Sequence, residues 1–130
     1  KVADWFTLEA PEVVKRNGKY YCFYSGGNYQ NDSYGVDYLV ANDIRGPWTE
    51  MGCERGPQIV RSIPGQVFGP GHNSIVRSPA GQDYFVYHAW NPERTKRQVW
   101  VDPLFWSNGV PRVERFQARI HEMNQKAAAK

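Results

Sequence analysis

Cysteine is scarce in this chain of 130 residues: there are two, Cys22 and Cys53, and their spacing yields neither a metal site nor a redox pair. Cys22 falls in a run of large apolar residues and reads as a small buried thiol, whereas Cys53 stands in a loop beside Gly52. Charge of one sign is scarce as well. A net charge of +3, dispersed along the chain, excludes an electrostatic argument for nucleic acid, and Lys15-Arg16 and the stretch from Arg94 to Arg97 read as solvated loop charge. No apolar run approaches a membrane span, and no charged-then-apolar leader opens the sequence. The chain starts without methionine, as expected of a start inside a domain, so export of a parent protein is not legible.

Aromatic residues, by contrast, are plentiful, and they fall in two matching strand-turn-strand units. The first unit runs from Glu12 to Ser25, with Asn17-Gly18 between two apolar-rich runs as a hairpin turn requires. The second runs from Asn73 to His88, with Pro79 and Gly81 supplying the turn. A further strand candidate follows each, Tyr34 to Ala41 and Gln98 to Phe105. Tyr20, Tyr21, Phe23, Tyr24, Tyr84, Phe85 and Tyr87 lie inside these strands and read mostly as core between sheets.

A repeat of roughly 60 residues built from small antiparallel sheets reads as a β-propeller, because one such sheet cannot bury both of its faces alone. The predicted fold is all-β: a partial propeller of about two four-stranded antiparallel blades followed by a C-terminal α-helix. The blade units are placed at about residues 9 to 50 and 68 to 112, within a partial propeller of residues 1 to 112, and the helix or tail at 113 to 130. Closed propellers have about 4 to 8 blades, so the others are expected on another chain, in a longer parent, or in associated copies, with exposed edge strands as the sites of pairing.

The ordered succession Trp5, Glu9-Ala10-Pro11, Asn17-Gly18-Lys19-Tyr20-Tyr21, Tyr24-Ser25-Gly26, Gly46-Pro47-Trp48, Gly69-Pro70-Gly71-His72-Asn73-Ser74, Tyr87-His88-Ala89-Trp90 and Asp102-Pro103-Leu104 resembles the second half of the catalytic domain of glycoside hydrolase family 43. No single piece is specific; the order and spacing carry the likeness. The resemblance implies a five-bladed propeller, an inverting mechanism, and arabinanase, α-L-arabinofuranosidase or β-xylosidase activity on plant cell-wall polysaccharide. Inversion sets a general acid and a general base about 6.5 to 9.5 Å apart to leave room for the attacking water.

Glu9 matches the family's general acid in this pattern, a role that needs a carboxyl group kept protonated by partial desolvation or a nearby negative charge. Its alternative is an ordinary strand-end carboxylate; Glu12, outside the Glu-Ala-Pro triplet, is expected to face solvent. The family's two aspartates would come from earlier blades, and Asp4, Asp32, Asp37, Asp43, Asp83 and Asp102 do not stand in the matching setting. Asp83 and Asp102 read as turn or strand-end residues. The resemblance further implies that His72 points into the central channel beneath the substrate, where it could take part in a calcium site, although no cofactor is required and calcium prefers oxygen ligands. The other reading of His72 is a hydrogen-bonded core histidine. Arg97 matches a family position from which a guanidinium reaches sugar hydroxyls, against a solvated loop charge. Asn73 and Ser74 are candidates to line the same cavity, and Trp5, Phe68 and Trp90 are either sugar-stacking surfaces or rings buried between blades.

Past residue 112 the pattern departs from the family. Val113, Phe116, Ile120 and Met123 recur at helical spacing and good helix formers follow, so a helix is expected to pack on a blade or on a neighbouring copy, unless the end is a cloning or frameshift product. Three functions follow: part of an inverting hydrolase with its acid but without its base, a noncatalytic carbohydrate-binding module, or a fragment that self-assembles by its blade edges.

Overall fold

The computed structural model describes residues 7 to 130. Trp5 and Asp4 lie outside the described residues. The chain opens with β1 (Thr7–Arg16) and β2 (Lys19–Gly27), joined by Asn17-Gly18, whose φ values of 53° and 75° are those of a type I′ turn. Next come β3 (Gly35–Ala41), β4 (Thr49–Glu50) and β5 (Val60–Arg61). These form one antiparallel sheet in the order β1-β2-β3-β4, with β5 also paired to β3. The second half repeats the plan with β6 (Phe68–Arg77), β7 (Asp83–Trp90), β8 (Arg97–Ser107) and β9 (Val110–Arg112), in that order in a second antiparallel sheet. Asn108-Gly109 makes the turn between β8 and β9 with φ values of 52° and 74°, the same signal as the first hairpin.

The two sheets meet through one face each, and strand alternation explains which residues are inside. Along β7 the inward set is Asp83, Phe85, Tyr87 and Ala89; along β2 it is Tyr21, Phe23 and Ser25. Tyr21, Phe23, Phe85 and Tyr87 are all at most 2% exposed, which makes them core side chains. Phe23 sits 5.9 Å from Phe85 and 6.3 Å from Trp106, and Tyr21 packs its edge on Trp106 at 4.7 Å. Burying each such ring is worth about 1.5 to 3 kcal/mol, so this aromatic seam is the main apolar bond between the sheets.

Polar ties cross the same seam. Arg16 donates through Nε and Nη2 to both carboxylate oxygens of Asp83, at 2.9 and 2.8 Å, and Trp106 Nε1 donates to Asp83 at 2.9 Å. Glu12 does not face solvent as expected: its Oε2 accepts the Ile75 amide at 2.8 Å, because the irregularity between Glu9 and Glu12 turns it toward β6. Asp102 is likewise not a strand-end residue. It is buried in mid-β8, where it accepts Tyr87 Oη at 2.6 Å and a two-pronged contact from Arg115.

The C-terminal segment closes the core. Val113, Phe116 and Ile120 are buried, and Phe116 packs on Tyr87 at 5.8 Å. The regular helix α1 (Gln117–Ala128) starts later than the apolar spacing predicts, since a short turn of 3-10 helix spans Glu114–Phe116. Asn124 on α1 exchanges two amide hydrogen bonds of 3.0 Å with Gln58 of the first half, so α1 bridges both halves of the chain. Among the described residues no helix is long and apolar enough to cross a membrane.

One buried carboxylate in β3 gives the fold a pH dependence. Burial pushes Asp37 up to about 6; the amides of Tyr38 and Gly52 oppose this and the charge of Glu50 adds to it. The native state therefore binds more protons than the unfolded chain between about pH 4 and 6, and stability falls as pH rises through that window. Asp37→Asn is expected to remove this fall and to raise stability at neutral pH by about 2 to 3 kcal/mol. Urea denaturation of both proteins across the window checks it; parallel pH profiles would contradict the assignment.

Candidate active site

Three strands deliver the candidate residues, β1, β6 and β8, and the first two depart from regular geometry where they do so. In β1 the pairing slips between Glu9 and Glu12, with Ala10 at φ 53°. In β6 it slips twice, on either side of Gly71, with His72 at φ 55°. Such bulges re-aim side chains, and a left-handed alanine or histidine persists only where its surroundings hold it. Here the holder is Ser25, whose Oγ accepts the amides of His72 at 2.9 Å and Asn73 at 3.3 Å and donates to Asn73 Oδ1 at 2.7 Å. Asn73 Nδ2 in turn donates to the Ala10 carbonyl at 3.2 Å. Both bulges are thus pinned to each other across the seam between the sheets.

Glu9 projects from the pinned end of β1 with its side chain 36% exposed, which leaves it partly desolvated and reachable. Its Oε1 accepts the hydroxyl of Tyr34 at 2.6 Å and lies 3.7 Å from His72 Nδ1. Tyr34 is fully buried, and a Cβ on Gly71 would stand 1.9 Å from its ring, so glycine is required at 71 for the ring to fit. Burial, together with the bond and charge of Glu9, pushes the Tyr34 hydroxyl well above its ordinary range and keeps it a donor.

His88 lies between these groups and Arg97. Its ring stacks on Tyr34 at 6.0 Å and on His72 at 6.0 Å. Arg97 Nη1 stands 3.4 Å from His88 Nε2; a guanidinium only donates, so that nitrogen accepts and the imidazole is neutral. Burial depresses His88 first, and the positive charge of Arg97 depresses it further. Arg97 is not a loose loop charge. It opens β8 and lies over the rings of Trp90 at 5.5 Å and Tyr29 at 5.7 Å, while Trp90 Nε1 donates to the Tyr29 carbonyl at 2.9 Å. Arg94 also has partners, the carboxylate of Asp32 and the face of Phe68.

Glu9, His72 and Arg97 therefore converge on one end of the sheets. Asn73 lies beneath them, buried, and Ser74 is exposed on the outward face of β6. The sequence offered little sign of Tyr34, His88, Tyr29 and Ser25, whose parts depend on contacts between distant segments. The aspartates among the described residues are engaged elsewhere: Asp32 with Arg94, Asp43 with Arg45, Asp83 with Arg16, Asp102 with Arg115, and Asp37 with the Gly52 amide. Glu50 is the other acidic residue that lines the open groove of about 580 Å³ beside Glu9, together with Leu8, Pro11, Cys22, Tyr24 and Leu39. A larger groove of about 670 Å³, at the opposite end of the hairpin near Asn17 and Asn108, holds none of the candidate residues. Calcium prefers oxygen ligands, and among the described residues the carboxylate beside His72 is that of Glu9. Among the described residues no three His, Cys, Asp or Glu side chains are grouped to hold a metal ion.

The family model described as glycosyl hydrolases family 43 matches residues 1–111. The chain belongs to glycoside hydrolase family 43. The β-D-galactofuranosidase xynD of Aspergillus niger is 38% identical over 104 residues, which cover 77% of this chain and 29% of that protein. A thermostable family-43 glycoside hydrolase of known structure superposes with a TM-score of 0.73 at 35% identity, covering 82% of this chain and 35% of that one. The α-L-arabinanase of Cellvibrio cellulosa, solved with arabinohexaose, shares the fold at a TM-score of 0.70 and 24% identity, over 83% of this chain and 37% of its own. The family-43 chain described here thus spans about a third of the length of these relatives, and its two sheets are blades of the family's β-propeller. Helix α1 begins at Gln117, after the last residue that the family model matches.

Proposed function

We propose that this family-43 chain is the acid-bearing part of an inverting hydrolase of arabinose- or xylose-containing plant polysaccharide, with Glu9 as general acid. The observation that carries the reading is the setting of Glu9. It stands at the end of a pinned bulge, with one oxygen held by Tyr34 and the His72 imidazole 3.7 Å from that same oxygen, and among the described residues none is hydrogen-bonded to its other oxygen. In the reaction Glu9 gives its proton to the glycosidic oxygen as the C–O bond breaks, and the leaving sugar departs as a neutral alcohol. A water attacks the opposite face of the ring and loses its proton to a general base, which no aspartate beside Glu9 among the described residues supplies. In this reading Arg97, which lies over the rings of Trp90 and Tyr29, donates to sugar hydroxyls, and His72 contacts the substrate beside Glu9.

The base is expected from blades that precede these in the family fold. Fusing residues 7 to 130 behind the amino-terminal part of the thermostable relative, and assaying arabinofuranoside, xyloside and galactofuranoside, tests this. Turnover by the fusion, absent from either part alone, supports the reading; an inactive but folded fusion contradicts it.

A second reading, self-assembly, is favoured by one observation. The outward face of the second sheet exposes Val76, Val99, Val101 and Phe105, and that of the first exposes Leu8 and Val13. Blades of a propeller bury such faces against neighbours, so copies of this chain could cover them for one another. Light scattering over a range of concentrations separates a discrete oligomer from a monomer.

A further inference from the structure

We propose that Tyr34 is a positioning residue for Glu9: its hydroxyl holds Oε1 from below, so that Oε2 is the oxygen that carries and delivers the proton. The inference rests on the reading of Glu9 as general acid. Three observations place Tyr34 in this role. Its hydroxyl donates to Glu9 Oε1 at 2.6 Å, and His72 approaches the same oxygen, so both neighbours stand on one side of the carboxyl group. The ring cannot swing away, because it is fully buried, stacked on His88, and set into the space that Gly71 leaves by having no side chain. The ring also joins the two halves of the site, since Tyr34 comes from the first half of the chain while Gly71 and His88, against which it packs, come from the second.

A carboxyl group rotates readily about its last bond, and an acid that must meet a glycosidic oxygen loses rate when the protonated oxygen points elsewhere. A buried phenol that stays protonated removes this freedom. It occupies Oε1 as a donor and cannot take the proton itself, which leaves Oε2 as the proton's place. His88 supports the ring from the far side, and Arg97, by taking up Nε2, keeps His88 neutral beside it.

Tyr34→Phe keeps the ring, its stack on His88 and its fit against Gly71, and deletes the hydroxyl alone. Two readouts test the proposal. In the chain itself, proton NMR is expected to show a slowly exchanging Tyr34 hydroxyl proton that Glu9→Gln shifts and Tyr34→Phe abolishes, with the amide spectrum otherwise retained. In the fused enzyme, Tyr34→Phe is expected to lower kcat by about 10- to 100-fold on substrates with an alkyl or sugar leaving group. KM should be little changed, and a dinitrophenyl glycoside, which leaves without a proton, should be cleaved as before. A hydroxyl signal indifferent to Glu9→Gln, or an equal loss on both kinds of substrate, overturns the positioning role while Glu9 keeps its own. Failure of Glu9→Gln to discriminate between the leaving groups overturns the assignment of the acid, and the role of Tyr34 falls with it.

Discussion

Glu9→Gln, in the fusion with the amino-terminal part of the thermostable relative, is expected to lower kcat/KM by two to four orders of magnitude on glycosides with a sugar or alkyl alcohol as leaving group. Protonation of a poor leaving oxygen as its bond breaks contributes about 10²- to 10⁴-fold, and glutamine has no proton of the right acidity to give. The same change should scarcely affect an activated aryl glycoside, whose leaving oxygen is stable as an anion. Glutamine is nearly isosteric with glutamate, and its carbonyl oxygen can still accept the Tyr34 hydroxyl, so the site should hold its shape. Steady-state kinetics on a paired series of leaving groups decides the matter. A uniform loss on both kinds of substrate would point to damage in binding, and no loss at all would remove Glu9 from the chemistry. Glu50→Gln is the companion variant, because Glu50 lines the groove next to Glu9; a collapse of turnover there would show that a base is already present in this chain.

Asp83→Ala is expected to destabilise the chain by about 3 to 5 kcal/mol, the usual cost of breaking a buried ion pair from one side. The Asp83 side chain is 3% exposed and that of Arg16 20%, so water can make good little of the loss. The substitution would strand the Arg16 guanidinium and the Trp106 indole N–H together, at the seam where β1 meets β7 and β8. The pair also implies an acid limb in the stability profile. Arg16 holds the Asp83 carboxyl below the ordinary range, against the opposing effect of burial and with help from Trp106. A depressed carboxyl contributes stability that is present above its unfolded value, about 3.9, and is lost as pH falls through the folded one. Urea denaturation at neutral pH and near pH 3 tests both statements. A loss below about 1 kcal/mol at neutral pH would mean that the tie acts as an exposed pair. Replacing both partners with apolar residues, Arg16→Met with Asp83→Leu, should recover most of the stability, since no charge is then left buried alone.

The two effects act on different links of the same construction. The Arg16–Asp83 tie and the aromatic seam hold the sheets together at one end of β1, and the Ser25–Asn73 contacts hold them at the other. Glu9 and His72 come from different sheets. Their separation, and the reach of Tyr34 to Glu9, therefore depend on the packing of the whole seam.

Much of this was legible in the residues. Asn17-Gly18 marked the first hairpin because positive φ at two successive positions is cheap for few other pairs. The alternating aromatics of β2 and β7 marked the inward faces, and Phe116 and Ile120 marked the apolar side of the C-terminal segment. Family membership was legible too, since the order of many weak motifs along the chain is itself a one-dimensional property. Glu12 and Asp102 were read wrongly for a shared reason: each is committed to a partner far away in sequence, the Ile75 amide for one and Arg115 with Tyr87 for the other.

The sequence by itself determined the strand periods, the hairpin turns, the family and the candidacy of Glu9, His72 and Arg97, because these follow from neighbours along the chain. Only the tertiary structure decided that Tyr34 holds Glu9, that His88 lies between Tyr34 and Arg97, and that Gly71 is glycine because a ring fills the space where its side chain would be. The physical reason lies in the bulges. Each slip of register in β1 and β6 breaks the alternation that makes a strand's faces readable, and the new direction of a side chain is set by hydrogen bonds from the opposite sheet.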